Sequence, residues 1–158
     1  FKAGNFVAKA ADKNLRAGLT RDVLPVAKKE RKATLIDIRS ADEYSGKLFA
    51  APGFQELAIR AGHIPGAVNV PWGLNVNADG TFKSVADLKK LYADKGITGA
   101  EQIITYCRIG ERSSLTWFVL SEILGYQKVK NYDGSWTEYG NSVGAPISNP
   151  AGTIWGSL

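Results

Sequence analysis

The chain has one cysteine, and it stands in YCRIGERSS (106–114), where Cys107 is followed by Arg108, Arg112, Ser113 and Ser114. A thiolate beside guanidinium groups is a nucleophile held in a field that attracts anions. The spacing narrows the chemistry. Cys-x5-Arg loops, used by phosphatases, wrap a whole phosphate, but only four residues separate Cys107 from Arg112. The loop therefore reads as an anion cradle one residue too short for phosphate. A lone cysteine is also compatible with an inert buried position, but two guanidinium neighbours serve no purpose there.

Such a loop needs elements to position it, and the flanking sequence supplies them. EQIITY (101–106) reads as a strand ending at Cys107, and SSLTWFVLSEILG (113–125) as an apolar helix closed by Gly125. Strand, tight loop and helix build an anion site at the carboxyl edge of an α/β sheet. The loop N–H groups can converge on one point, and the helix adds about half a positive charge at its start. Gly110 is expected to supply a positive φ that lets so short a loop turn its N–H groups inward. Ser113 is expected to cap the helix and to face the thiolate. Glu111 is expected to point outward and to orient an arginine.

The rest of the chain alternates in the same way. TLIDI (34–38) and AVNVP (67–71) read as strands, and KVKNY (128–132) as a fourth. Thr20 is expected to cap a helix over 21–32, with Pro25 in its first turns. SADEYSG forms a capped helical turn ended by Gly46, and Ser84 caps a helix over 85–96. A long excursion fills 47–62, and DGSWTEYGN carries a turn and a short helix. This order predicts an α/β fold with a mainly parallel central sheet flanked by helices.

Composition sets outer limits. At 158 residues, 44% hydrophobic and 22% charged, the chain suits one soluble domain. It has no apolar run long enough for a membrane span and no signal-peptide core. It lacks Met altogether, which suggests a chain trimmed or cut from something longer. One Cys excludes an internal disulfide and a thiolate-rich zinc site, and with one His besides no structural metal is expected. The net charge of +5 is concentrated at the start: residues 1–33 hold nine basic and three acidic side chains, the remainder eleven and twelve. A basic leader on a near-neutral body reads as a flank that docks on another surface, and not as a nucleic-acid groove.

His63 in GHIPGA is expected to be structural, as are Asp37 and Arg39 at the end of a buried strand. Trp72, Trp117 and Trp136 are expected in the core or pocket wall.

Taken together, LIDIRSADEYSG, AGHIPGAVNVPW, DGTFKS, ITYCRIGERSS and NYDGSWTEYG resemble, in order, the rhodanese (thiosulfate sulfurtransferase) family. The resemblance is strongest to the catalytic C-terminal domain of tandem-domain sulfurtransferases. It implies a rhodanese-like three-layer fold over 19–147, with a basic flank or linker at 1–18 and a tail at 148–158. It further implies that Cys107 takes the sulfane sulfur of thiosulfate as a persulfide and releases sulfite. Cyanide or a thiol then accepts the sulfur, with no metal or organic cofactor. Arg108, Ile109, Gly110, Glu111, Arg112 and Ser113 are the implied substrate-binding residues. A CR-x-G loop in this family goes with thiosulfate and a CGSG-type loop with 3-mercaptopyruvate. The sequence departs from the animal mitochondrial enzymes at Glu43, where they carry arginine, and at Ile109, where they carry lysine. A protein-to-protein sulfur relay and a 3-mercaptopyruvate sulfurtransferase are the alternatives. The basic leader suggests a preceding inactive rhodanese-like domain as partner; no nucleic acid or membrane partner is expected, and the expected location is cytoplasmic.

Overall fold

The computed structural model describes residues 4, 5, 7, 12–50, 53, 55 and 58–154. Five parallel strands form one sheet: β1 (Arg16–Ala17), β2 (Thr34–Asp37), β3 (Val68–Asn69), β4 (Ile103–Tyr106) and β5 (Val129–Tyr132). Their order is β1-β5-β4-β2-β3, so β4 lies at the centre between β5 and β2. The expected mainly parallel α/β sheet is thus observed.

Side chains leave a strand on alternate faces, and here both faces are covered. Leu35, Ile104 and Tyr106 enter one apolar cluster with Val23, Ala27, Trp136 and Tyr139. Ile36, Ile103 and Cys107 enter the other with Leu88, Tyr92, Val119 and Leu120. Burial on two sides explains why the strands read as continuous apolar runs and not as alternating ones.

The helices are α1 (Leu24–Ala27), α2 (Ala41–Ser45), α3 (Val85–Ala93), α4 (Glu111–Phe118) and α5 (Ser135–Asn141). Ser84 caps α3 by accepting the Asp87 N–H, as expected. Ser40 and Glu43 form a reciprocal capping box on α2, which ends at Gly46 with φ 83°. Two caps differ from expectation. The first helical segment begins at Gly18 with a wide turn over Leu19–Val23, so Thr20 lies inside it. Asp22 reaches back to the Gly18 N–H at 2.9 Å, taking the role expected of Thr20. Helix α4 starts two residues early, at Glu111, with Gly110 as its cap; Ser113 is therefore within its first turn.

The strand β1 was absent from the sequence reading and falls within the stretch expected as flank. It pairs with β5 through only two residues. Asp22 ties the following turn to β5 by an ion pair with Lys130 at 3.0 Å. Burial opposes ionisation of Asp22, but the Gly18 N–H, Arg21 and Lys130 outweigh it and lower its pKa. Near the other end, His63 and Ser148 exchange backbone hydrogen bonds at 2.8 and 3.0 Å. That pairing packs the start of the expected tail on the body, while residues 155–158 lie outside the described ones. Among the described residues, no helix is long and apolar enough to cross a membrane.

Candidate functional site

β4 delivers Cys107 to the carboxyl edge of the sheet, at the base of the loop that opens α4. Its side chain is fully buried. The Gly110 N–H donates to Sγ at 3.1 Å, so the loop does turn a backbone donor on the sulfur. Gly110 has φ 89°, the left-handed region that glycine enters without strain. A Cβ there would also stand 2.7 Å from Asp133 Cα. Two constraints converge on one glycine.

An inward-facing N–H requires the loop carbonyls to be satisfied elsewhere. The start of α5 does this, since Trp136 N–H donates to the Cys107 carbonyl at 3.0 Å and Thr137 N–H to that of Arg108 at 2.9 Å. Asn131 on β5 donates to the Gly110 carbonyl at 3.1 Å. The Cys107 N–H is taken by the Ser135 hydroxyl at 3.0 Å. That hydroxyl donates in turn to the Tyr132 carbonyl at 2.6 Å and lies 4.0 Å from Sγ. Ser135 holds φ 48°, a conformation that costs a non-glycine residue energy and concentrates at functional sites. Neither Ser135 nor Asn131 was marked by sequence reasoning. They fell within the strand KVKNY, the segment DGSWTEYGN and the resemblance segment NYDGSWTEYG with no role of their own.

The other loop residues divide by position. Ser113 is buried, and its hydroxyl lies 2.7 Å from Asn131 Oδ1 and 3.0 Å from the Gly110 carbonyl. It braces the loop from behind and makes no hydrogen bond with the sulfur, contrary to the expectation that it faces the thiolate. Glu111 is exposed, as expected, and Ile109 is 41% exposed at the crown. Arg108 donates to the Gln55 carbonyl at 2.9 Å, which ties the loop to the excursion 47–62.

Arg112 meets Glu43. Its guanidinium donates to Glu43 Oε1 at 3.2 Å and Oε2 at 3.5 Å. The carboxylate is 1% exposed and the arginine side chain 24%. Burial works against ionising Glu43, but Arg112 and Ser40 outweigh it and hold its carboxyl below the ordinary range. Of the two arginines that sequence reasoning gave to the anion site, Arg112 is therefore already paired with a carboxylate.

The remaining expectations fall where polar satisfaction predicts. Arg39 forks onto Asp37 at 2.6 Å and onto the Gly62 carbonyl at 2.7 Å, fully buried. Its guanidinium stacks over Trp136 at 4.6 Å. His63 donates Nδ1–H to the Tyr44 carbonyl at 2.7 Å and stacks on that ring at 3.6 Å. Burial lowers its pKa, which fits a neutral structural imidazole. Trp136 is core, whereas Trp72 is 40% exposed and so is not part of the core. Among the described residues no group of three or more His, Cys, Asp or Glu could hold a metal.

Comparison with known proteins decides the family. Residues 21–142 match the rhodanese-like domain. The chain belongs to the rhodanese-like family. This rhodanese-like domain is 54% identical to a Mycolicibacterium smegmatis protein named "Putative thiosulfate sulfurtransferase", over 90% of this chain and 50% of that one. It is 52% identical to "Sulfur carrier protein TtuD" of Thermus thermophilus, over 94% and 53%. The domain thus spans about half the length of these curated relatives. Among solved structures it is similar to the anaerobic ergothioneine biosynthesis enzyme of Chlorobium limicola in complex with trimethyl histidine. That match has a TM-score of 0.72 and 25% identity, over 85% of this chain and 32% of that one. An EanB variant captured as a cysteine persulfide with ergothioneine gives a TM-score of 0.66 and 27% identity, over 77% and 30%.

Proposed function

We propose that this rhodanese-like domain is a sulfurtransferase in which Cys107 takes the sulfane sulfur of thiosulfate and passes it to a thiophilic acceptor. One observation carries the reading: a buried cysteine sulfur at a strand end, with the Gly110 N–H aimed at it from 3.1 Å. The chemistry is a double displacement. The Cys107 thiolate attacks the outer sulfur of thiosulfate, the S–S bond to the sulfonate sulfur breaks, and its electron pair leaves with sulfite. The new outer sulfur carries negative charge, which backbone donors around the loop stabilise. Cyanide or a thiolate attacks that outer sulfur, forms thiocyanate or a new persulfide, and returns the thiolate to Cys107. Arg108 and Ile109 line the loop crown in this scheme, Gly110 supplies the donor, and Glu111, Arg112 and Ser113 shape the mouth and its support. We further propose, independently of this chemistry, a cytoplasmic location and a preceding inactive rhodanese-like domain as neighbour of the basic leader.

A sulfur-relay role is the second reading. It is favoured by the pairing of Arg112 with Glu43, which leaves less free positive charge for an inorganic dianion, and by the relative named as a sulfur carrier. One experiment addresses the chemistry common to both. Incubation with thiosulfate should make the intact protein one sulfur atom heavier, and cyanide should reverse the gain. A Cys107→Ser variant that still gains sulfur would show the nucleophile to be wrongly assigned. Steady-state rates with thiosulfate and 3-mercaptopyruvate, side by side, then rank the donors.

A further inference from the structure

Glu43 is buried to a degree its local role does not require. A capping box works with either glutamate or glutamine at its third position, and its members ordinarily sit at the surface. Here the carboxylate is 1% exposed. It receives the Ser40 N–H at 3.0 Å and the Ser40 hydroxyl at 2.9 Å, and both of its oxygens face Arg112. A buried ionised carboxylate is costly unless paired, so glutamine would serve α2 at lower cost. What the negative charge adds is an effect on Arg112.

Resting on the sulfurtransferase reading, we infer that Glu43 determines donor specificity by neutralising Arg112 at the mouth of the Cys107 loop. The pair presents guanidinium N–H donors with little net charge. A dianion such as thiosulfate gains less from this mouth than from one with an unpaired arginine. Monoanionic donors, and persulfides borne on larger thiols, lose less. Glu43 therefore broadens the range of sulfur donors that reach Cys107.

Glu43→Gln deletes the charge at nearly constant shape: its single amide oxygen can keep the Ser40 cap, while its NH2 replaces the oxygen that Arg112 meets at 3.2 Å and so releases the arginine. Coulomb energy scales with ligand charge, so a gain of roughly ten-fold in kcat/KM for thiosulfate should accompany only about three-fold for monoanionic 3-mercaptopyruvate. The thiosulfate rate should also fall more steeply with added salt in Glu43→Gln than in the wild type. Glu43→Asp, which keeps the charge, should retain the wild-type donor ratio and so guards against a general loosening of the site. A thiosulfate rate that is unchanged or reduced in Glu43→Gln, an equal gain for both donors, or a changed ratio in Glu43→Asp would overturn the assignment alone. Wild-type protein that transfers sulfur from neither donor would overturn the sulfurtransferase reading, and Glu43's role with it.

Discussion

Replacing Gly110 by alanine tests the geometry of the loop directly, because two independent penalties meet at that residue. Its φ of 89° costs an L-residue about 1–2 kcal/mol. The new Cβ would lie 2.7 Å from both Asp133 Cα and the Asp133 carbonyl oxygen. Those are backbone atoms that cannot swing aside, and relieving such overpacking costs roughly 1–3 kcal/mol. Gly110→Ala should therefore lose about 2–5 kcal/mol, or on the order of 5–15 °C in Tm for a domain of this size. Relief of the clash moves the 110 N–H away from Sγ, and a hydrogen bond to a charged group is worth about 1.5–3 kcal/mol. Single-turnover persulfide formation, followed by intact mass, should slow by roughly ten- to a hundred-fold at a temperature where the variant is fully folded. A variant that matches the wild type in both urea midpoint and transfer rate would refute the argument that this N–H, held by this glycine, supports the chemistry.

Two further outcomes are expected. Arg112→Ala leaves the buried Glu43 carboxylate without its cation, so kcat/KM for thiosulfate should fall at least about ten-fold. Stability should fall too, and Arg112→Ala/Glu43→Gln should regain part of it, as a double-mutant cycle in urea would measure. Asp22 has a lowered pKa in the fold, so its contribution is present above its unfolded pKa and is lost as pH falls through the lower folded value. The stability gap between the wild type and Asp22→Asn should thus be constant above about pH 5 and close below about pH 4; a gap independent of pH down to 2 would exclude that linkage.

The sequence exposed whatever rested on local rules. The strand–loop–helix around Cys107 was legible because apolar runs, a glycine and a helical stripe are neighbours in the chain. So were the Ser40 and Ser84 caps. The edge strand β1 was not, since two residues carry no period and Arg16–Ala17 is fixed only by pairing with Asn131 and Tyr132. The caps at Gly18 and Gly110 were missed for a related reason: serine and threonine are the ordinary signals, whereas here an aspartate reaches back in one case and a left-handed glycine serves in the other. Ser135 and Asn131 belong to the site through hydrogen bonds with residues more than twenty positions away. Nothing local marks them. Glu43 and Arg112 are 69 positions apart, so the neutralised arginine appears only when β2 and β4 are placed side by side.

The Cys107 and Arg108 carbonyls are held by N–H groups of Trp136 and Thr137, which gives the loop two owners. A graft of the six residues Cys107–Arg112 onto another parallel sheet would carry over the cysteine and both arginines. It would leave behind the helix start that turns the peptide groups over. On such a host the freed carbonyls would compete for the inward positions, and the cysteine would face oxygen where it now faces an N–H. The smallest portable unit is therefore β4 and α4 together with β5 and the start of α5. Any design that borrows this chemistry must import both strand–helix crossings at once.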